Sequence, residues 1–333
     1  MLRIASVRVS NRNIRSVEVR SLRLALVHPQ LDTVGGAEKV VLQIARALEK
    51  LGNEVIVYTL IDDQTIYPKL KKGLEIVVCS SSIMRPVYSI RTTRRARRLN
   101  FLPGVLSLAR KIDKNVDLIN CFAFPSTWSA ARVKKRTRVP LVWTCFEPPF
   151  WHQHKELVQR QYRYLRQFLK PVVTVDNMLV QTTDRILTIS FLIRGIIRES
   201  YGRDSQVIRV GVDPEDFKGA DGESVRERYG IADKRIVLAI GPLTPIKRTM
   251  DAILAMRLIS RHVPNAVLLV EGEGPLENEL KSFVRKSTIL SERVIFLGRV
   301  LSDELKNYYA ASEVVLFPSI REAWGLVPFE AML

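Results

Sequence analysis

The chain has 333 residues, of which 47% are hydrophobic and 26% are charged. A single hydrophobic core rarely grows beyond about 250–300 residues, so this length favours two domains, and the composition excludes an intrinsically disordered protein. Lys and Arg number 52 against 34 Asp and Glu, which gives a formal net charge of +18. This charge favours anionic partners such as phosphate esters, nucleic acids or acidic membranes, although a solvated basic surface explains it equally well.

The cysteines and the apolar runs narrow the class of protein further. Cys79, Cys121 and Cys145 are scattered and form no CxxC pair, which argues against a disulfide framework or a zinc site and indicates buried positions at strand ends. No apolar run reaches the ~18 residues that a membrane-spanning helix needs. Arginines interrupt every apolar stretch near the N-terminus, which argues against a secretory leader. We therefore expect a cytoplasmic protein, soluble or peripheral on the membrane, with residues 1–21 as a basic extension.

Ordered patterns begin at Leu22. Residues 22–27 and 54–60 predict buried strands, and between them Gly35-Gly36 precedes a run with apolar residues on one helical face. This is a βαβ unit with glycines at its strand-to-helix turn. The continuous apolar character of the later strands is typical of a parallel sheet covered on both faces. Those strands are predicted at residues 74–79, 116–120, 139–144, 185–189 and 206–211.

The same pattern restarts after a polar stretch, residues 213–224, which is typical of a domain linker. We therefore predict two α/β, doubly wound domains, residues 22–216 and 217–333. After its last predicted strand the second domain has room for only about two helical turns, so we expect it to be C-terminally truncated. Its strands are predicted at residues 235–240, 266–271, 293–297 and 313–317.

The motif EAWGLVPFE, residues 322–330, predicts a loop followed by a helix start. Pro328 is well placed as the first helical residue, since its missing N–H has no helical acceptor there. The N–H groups around Leu326 and Val327 would be free to bind an anion with the help of the helix dipole. Gly325 would let a ligand approach the backbone closely.

Charged residues surround this predicted helix start. Glu322 lies before it and Glu330 within its first turns, which suits a ligand with both phosphates and hydroxyls, such as a sugar nucleotide. Two solvated acids beside an ordinary helix explain the spacing equally well. The loop GPLTPIK, residues 241–247, places Lys247 at the carboxyl edge of the second sheet, where α/β folds bind ligands. There Lys247 and its neighbour Arg248 can neutralise a diphosphate leaving group.

Three glycine turns accompany these residues, and each by itself is explained equally well by a structural role. Gly35-Gly36 would let the first domain approach a phosphate, and Gly298 in FLGRV would expose backbone groups to a base. The segment EGEGPL, residues 271–276, resembles a GxG turn but lacks the full GxGxxG, which disfavours a dehydrogenase.

Together the motifs resemble the GT-B-fold retaining glycosyltransferases of family 4 (glycosyltransferase group 1), in particular mannosyltransferases of lipid-linked oligosaccharide or polysaccharide synthesis. The resemblance covers about residues 22–333, with the motifs in the family's order. The matching segments are Gly35-Gly36-Ala37-Glu38, Ser190, Gly211-Val212-Asp213, Gly241 through Lys247, Gly272-Glu273-Gly274-Pro275, Phe296-Leu297-Gly298, Pro318-Ser319 and the E-x7-E pair, Glu322 and Glu330.

The resemblance implies two Rossmann-like domains that face a cleft, with the acceptor on the first and the donor on the second. It implies metal-independent, cofactor-free transfer of a hexose, mannose being one candidate, from a GDP- or UDP-linked donor with retention of configuration. Lys247 would bind the diphosphate and Glu322 the transferred sugar, while Glu330 would hold ribose hydroxyls. The further donor-site residues that it implies are Gly35, Gly36, Arg248, Gly272, Leu297, Gly298, Arg299, Gly325, Leu326 and Val327.

Three departures from the family pattern stand out. Pro242 replaces an arginine that often follows the first glycine of the Lys247 loop, and Arg248 is the candidate to compensate. Phe122 occupies the position where many members carry a histidine, so the role of that histidine is not transferred. The family's last strands and the helix that crosses back to the first domain are absent, which makes an inactive glycosyltransferase-like scaffold an alternative.

Basic segments of the first domain indicate a second partner. Residues 85–98, residues 132–138 and the amphipathic stretch 155–170 suit anionic lipid headgroups, although a solvated face is the alternative. The segment WTCFEPPFWHQH, residues 143–154, resembles the acceptor-side loop of the mannosyltransferases, with Glu147 as a candidate acceptor contact. Its histidines have no accompanying carboxylate cluster, so no metal site is expected. The expected acceptor is a glycolipid or glycan precursor.

Functions from other classes compete with this reading. A basic nucleic-acid-binding protein fits the charge, but no RRM, KH, zinc or helix-turn-helix signature is present, so no nucleic-acid partner is expected. A sugar-nucleotide epimerase or a phosphorylase fits the fold, but the acid/base residues of the first and the cofactor lysine of the second have no counterpart. The nucleotide base, the sugar, the acceptor and the linkage stay open at this point.

Overall fold

The computed structural model describes residues 21–32, 35–79, 101–149, 151–152, 165–320 and 322–333. Strands and helices alternate along these ranges, and they build two parallel sheets that belong to two α/β domains. The basic segment 85–98 and most of the predicted amphipathic stretch 155–170 lie outside the described residues.

The first domain is built on a parallel sheet. Its strands are β1 (Arg23–Val27), β3 (Glu54–Thr59), β5 (Glu75–Val78), β6 (Leu118–Cys121), β7 (Leu141–Cys145), β8 (Arg185–Thr188) and β9 (Gln206–Val207), while β2 (Gln30–Leu31) and β4 (Ile61–Asp62) pair separately. Within the described ranges the order across the sheet is β5-β3-β1-β6-β7-β8-β9. The helices are α1 (Gly36–Lys50), α2 (Pro68–Lys71), α3 (Phe101–Lys111), α4 (Ser126–Thr137), α5 (Leu165–Gln181) and α6 (Phe191–Tyr201).

Helices cover both faces of this sheet, which explains the unbroken apolar strands. Ala25 and Val27 of β1 pack in one buried cluster, whereas the intervening residue Leu26 packs in the other with Val41 of α1. Successive side chains of a strand point to opposite faces, so both faces must be covered for every residue of β1 to be apolar. The prediction of a parallel, doubly covered sheet is therefore confirmed.

The second domain repeats this arrangement on a smaller sheet. Its strands are β10 (Arg235–Ile240), β11 (Ala266–Glu271), β12 (Val294–Gly298) and β13 (Val314–Val315), in the order β12-β11-β10-β13. Its helices are α7 (Gly222–Tyr229), α8 (Thr249–His262), α9 (Glu277–Arg285), α10 (Thr288–Ser291), α11 (Leu305–Ala311) and α12 (Val327–Glu330), and two 3-10 turns span Pro214–Phe217 and Pro245–Lys247. Separate buried clusters cover the two faces of the sheet.

The outermost strands are shorter than predicted. β9 ends at Val207 instead of residue 211, and β13 ends at Val315 instead of residue 317. Each of these two strands pairs with only one neighbouring strand. After its last paired residue the chain makes one or two further backbone hydrogen bonds to that neighbour and then leaves the sheet.

Proline and aspartate positions account for two further differences. The predicted linker, residues 213–224, is partly helical, because Asp213 and Asp221 accept hydrogen bonds from the N–H groups of Glu215 and Glu223 and so cap new helical turns. Helix α12 begins at Val327, so Pro328 is its second residue and not its first.

His28 at the end of β1 is a buried ionisable group. Its side chain is 1% exposed, and its Nδ1 lies 2.6 Å from the carbonyl oxygen of Gln30, so this nitrogen carries the proton. Burial lowers the pKa of His28 from its ordinary value of 6.5. The charge of Glu38 and the hydrogen bond to Gln30 raise this pKa, but by less than burial lowers it.

We expect the free energy of unfolding to fall as the pH drops below 6.5, because the unfolded chain then takes up a proton that folded His28 does not. Near pH 5.5 this single group contributes a slope of up to about 1.4 kcal/mol per pH unit. Urea unfolding at pH 7.5 and 5.5 measures it. The His28→Gln variant should lose this part of the pH dependence, whereas His262→Gln, at an exposed position in α8, should keep it.

Candidate active site

The carboxyl edges of the two sheets meet in the same region of the molecule. Gly36, the first residue of α1, lies against the second domain, since a methyl group at this position would be 3.6 Å from Leu326 Cδ1. Gly35 precedes it with an extended backbone, and a methyl group there would collide with the carboxylate of Glu38. The start of α1 and the segment before α12 are therefore close neighbours.

Lys247 and Glu322 form the centre of the site. The Nζ of Lys247 donates a hydrogen bond to Glu322 Oε2 at 2.8 Å, and both side chains are partly exposed, at 20% and 27%. The same Nζ lies 5.5 Å from the centre of the Phe317 ring. Lys247 ends the 3-10 turn that follows β10, so the fold brings together a cation and a carboxylate that are far apart in the chain.

Lys247 also borders a small pocket at the carboxyl edge of the second sheet. Gly241 lies beside the lysine stem, since a methyl group there would be 3.6 Å from Lys247 Cε. The walls come from the ends of β10 and β11 and from the segment after β13, and they include Gly241, Thr249, Glu271, Phe317 and Ser319.

Two glycines, Gly272 and Gly274, hold the neighbouring loops in close contact. Gly272 has a φ of +115°, and a methyl group on it would lie 2.2 Å from the carbonyl oxygen of Gly241. A methyl group on Gly274 would lie 2.4 Å from the carbonyl oxygen of Leu243. Only glycine permits such short distances between backbones, so the loops after β10 and β11 pack directly against each other beside the pocket. We call this contact, formed by Gly272 and Gly274 on Gly241 and Leu243, the glycine floor.

Glu330 lies in α12, beside the first domain. Its Oε2 accepts a hydrogen bond from the hydroxyl of Tyr309 at 2.7 Å, and its Oε1 lies 3.8 Å from Nζ of Lys39 in α1. Burial and the Glu330 carboxylate raise the pKa of Tyr309, so its hydroxyl keeps its proton and acts as a donor. Lys39 also pairs with Asp216 at 3.0 Å.

The proposed base-binding segment lies at the end of β12. Leu297 packs in the apolar cluster of the second domain, and Gly298 adopts a left-handed backbone with a φ of +68°. The carbonyl oxygen of Gly298 accepts a hydrogen bond from the N–H of Gly272 at 2.8 Å, which joins this segment to the glycine floor. The neighbouring Arg299 is exposed.

Glu271 lies beneath this segment at the end of β11. Burial raises the pKa of its carboxyl group, while the N–H of Val300 and the charge of Arg299 act in the opposite direction. The N–H of Val300 lies 3.3 Å from Glu271 Oε1. The carboxyl group of Glu271, whose pKa is raised by burial, therefore lines the pocket next to Lys247.

The E-x7-E segment has the predicted loop followed by a single helical turn. Gly325 has a φ of +70°, and a methyl group on it would lie 2.9 Å from Phe317 Cζ and 3.1 Å from Glu322 Cγ. Leu326 precedes the turn and Val327 begins it. The first N–H groups of a helical turn have no acceptor within that turn, and this applies to those near Leu326 and Val327.

Two predicted residues are placed elsewhere. Arg248 donates from Nε to the carboxylate of Asp251 in the first turn of α8, and it is therefore committed to that helix. Glu147 is an exposed residue that follows β7 on the first domain. Neither lines the pocket beside Lys247.

Sequence reasoning missed three residues of this site. Tyr309 and Lys39 carried no signal in the sequence, and Trp324 was only one letter of the E-x7-E motif. Their contacts are with residues distant in the sequence, so no local pattern identified them.

Two general properties of the described residues bear on the class of site. No cluster of three or more His, Cys, Asp or Glu side chains in these ranges is arranged to hold a metal ion. Among the same ranges, none of the helices combines the length and the apolar character needed to cross a membrane.

Comparison with protein families agrees with the fold and the motifs. The model for Glycosyltransferase Family 4 matches residues 34–216, more than half of the chain, and the model for Glycosyl transferases group 1 matches residues 221–333. This chain belongs to glycosyltransferase family 4, and it is a glycosyltransferase with the GT-B fold.

Two distant relatives match most of the chain. An uncharacterized glycosyltransferase of Methanocaldococcus jannaschii is 24% identical over 90% of this chain and 74% of its own length. The mannosylfructose-phosphate synthase of Agrobacterium fabrum is 24% identical over 92% of this chain and 71% of its own length.

A solved structure of Anabaena HepE in complex with UDP and glucose has a TM-score of 0.69 and 20% identity, and covers 93% of this chain and 78% of its own. At this identity the likeness shows the fold alone.

Proposed function

We propose that this chain transfers a hexosyl group from a nucleoside-diphosphate sugar to a hydroxyl acceptor, with retention of the anomeric configuration and without a metal ion. The observation that carries this proposal is the Lys247–Glu322 pair at 2.8 Å, beside the pocket at the carboxyl edge of the second sheet. The cation of Lys247 can bind a diphosphate, and the carboxylate of Glu322 can accept hydrogen bonds from sugar hydroxyls.

In the proposed reaction the bond between the sugar C1 and the diphosphate oxygen breaks, and a bond between C1 and the acceptor oxygen forms on the same face. The acceptor proton passes to an oxygen of the departing diphosphate. Lys247 is proposed to stabilise the negative charge that develops on the leaving group. Glu322 is proposed to accept hydrogen bonds from the transferred sugar and so to orient its C1.

The nucleotide is proposed to lie along the glycine floor. Gly272 would present backbone without a side chain to the nucleotide, and Leu297, Gly298 and Arg299 would flank the base. Glu330 is proposed to bind ribose hydroxyls with the oxygen that faces Lys39, since Tyr309 occupies the other. Gly36 and the N–H groups near Leu326 and Val327 would approach the phosphates.

The acceptor is proposed to be a glycolipid or polysaccharide precursor at an anionic membrane surface. Residues Arg132, Lys135, Arg136 and Arg138 are exposed at the end of α4. This segment leads into β7, so it lies at the amino edge of the sheet, opposite the cleft. We propose that it attracts the protein to anionic lipid, while Glu147, at the carboxyl end of β7, contacts the acceptor.

The direct test of the function is thermal unfolding of the chain with UDP-glucose, GDP-mannose and ADP-glucose in the presence of EDTA. A donor supplied at about 100 times its dissociation constant should raise the free energy of unfolding by ~2.7 kcal/mol. Hydrolysis or transfer from the stabilising donor, with NMR assignment of the product anomer, then tests the reaction. The proposal fails if none of the three donors stabilises the chain.

Replacement of Glu330 by glutamine should weaken binding of UDP or GDP by about tenfold, because a charged hydrogen-bond acceptor for the ribose becomes a neutral one. Isothermal titration at constant salt measures the effect. The control is Glu313→Gln, since Glu313 also bonds with neighbouring cations but lies at the opposite edge of the second sheet. Equal affinities in the parent and in Glu330→Gln would contradict the placement of the ribose.

A further inference from the structure

Trp324 joins the donor-site loop to the first domain. Its indole Nε1 donates a hydrogen bond to the carbonyl oxygen of Val210 at 2.8 Å. Its ring stacks on Phe329 of α12, with ring centres 5.2 Å apart and planes inclined by 16°. The residue therefore contacts the first domain through its polar edge and its own domain through its face.

Arg209 adds a second contact at the same place. Its guanidinium carbon lies 5.9 Å from the centre of the Trp324 ring and 5.8 Å from the centre of the Phe191 ring, at the start of α6. A cation between two aromatic faces is attracted by both. Arg209 thus connects the first domain to Trp324 of the second domain.

The residues beside Trp324 follow it onto the first domain. Ala323, Trp324 and Leu326 all pack against the buried cluster that contains Leu26 and Phe146. Gly325 between them has no room for a side chain, because a methyl group there would lie 2.9 Å from Phe317 Cζ and 3.1 Å from Glu322 Cγ. The loop 322–326 is therefore held between the two domains, and Glu322 is its first residue.

We propose that Trp324 and Arg209 are positioning residues that form an interdomain clamp, defined by Trp324, Arg209, Val210 and Phe191. Through this clamp the first domain holds the loop 322–326, so that Glu322 reaches the donor sugar only when the two domains are together. The inference rests on the proposed function of Glu322. It adds that sugar positioning depends on the clamp with the first domain, whereas most of the proposed nucleotide contacts lie on the second domain.

Three variants separate the parts of the clamp. Arg209→Met keeps a long side chain without its charge, Trp324→Phe keeps a ring without the N–H, and Trp324→Ala removes both contacts. We expect kcat with UDP-glucose or GDP-mannose to fall about threefold, about fivefold and at least about tenfold in this order. Arg209→Met should have no further effect in the Trp324→Ala background, because the two side chains act on each other.

The dissociation constants of UDP and GDP should change by less than about twofold in all variants, since most of the proposed nucleotide contacts lie on the second domain and none is made by a residue of the clamp. Arg257→Met is the matched control, because Arg257 lies 5.4 Å from the Phe283 ring, within the second domain and outside the clamp. Its kcat should equal that of the parent. Small-angle X-ray scattering should show a larger radius of gyration for Trp324→Ala than for the parent and for Arg257→Met.

The outcomes distinguish the clamp from the function on which it rests. A loss of kcat with unchanged nucleotide affinity and a larger radius of gyration supports the clamp. An unchanged kcat, or a parallel loss of kcat and nucleotide affinity, overturns it. If the parent neither binds UDP or GDP nor uses any donor, the proposed function fails, and an unchanged radius of gyration would then overturn the interdomain contact as well.

Discussion

The Lys247→Met variant should transfer or hydrolyse its donor about 10²–10³-fold more slowly than the parent. The variant keeps most of the apolar stem but loses the charge 2.8 Å from Glu322 that is proposed to stabilise the departing diphosphate. Removal of one such preorganised electrostatic group typically has an effect of this size. Single-turnover kinetics with saturating donor isolate the chemical step.

Stability should change little in this variant, by less than about 1 kcal/mol, because both members of the Lys247–Glu322 pair are partly exposed and their attraction is screened. Lys281→Met is the matched control. Lys281 pairs with Glu277 at 2.7 Å and lies 5.7 Å from the Phe296 ring, so the same two kinds of interaction are removed away from the pocket. A Lys247→Met rate above a tenth of the parent rate would contradict the role of Lys247.

The Gly272→Ala variant should lose about 3 kcal/mol or more of its free energy of unfolding. The new methyl group would lie 2.2 Å from the carbonyl oxygen of Gly241, a rigid backbone atom, and the φ of +115° is strained for any residue with a side chain. Backbone strain of about 1–2 kcal/mol and overpacking of about 1–3 kcal/mol act together here. Urea unfolding followed by circular dichroism measures the loss.

Gly230→Ala provides the control for the backbone conformation alone. Gly230 has a φ of +63°, but a methyl group there meets no atom within 4 Å, so we expect a loss of only about 1 kcal/mol. If the two variants lose the same stability, the close contact between Gly272 and Gly241 is not what requires glycine. Nucleotide affinity should fall only in Gly272→Ala, because only this glycine belongs to the floor beside the pocket.

The local structure of the motifs near the site was predicted from the sequence, but the contacts between their side chains were not. The pattern predicted that Glu322 lies in a loop, that Lys247 follows a strand and that glycines occupy the turns, and the structure has all three. It did not predict that Lys247 and Glu322 bond directly, or that Arg248 turns away to Asp251. These outcomes depend on rotamers and loop paths that no local pattern encodes.

The sequence by itself determined the α/β class, the parallel sheets and the E-x7-E loop, because burial on both sides of a sheet and tight turns impose residue types locally. The tertiary structure alone decided which side chains meet. Tyr309 and Lys39 reach Glu330, and Trp324 reaches Val210, from positions far away in the chain. The segment from Glu322 to Glu330 therefore depends on both domains for its position. Contacts between distant segments are set by packing and not by sequence spacing.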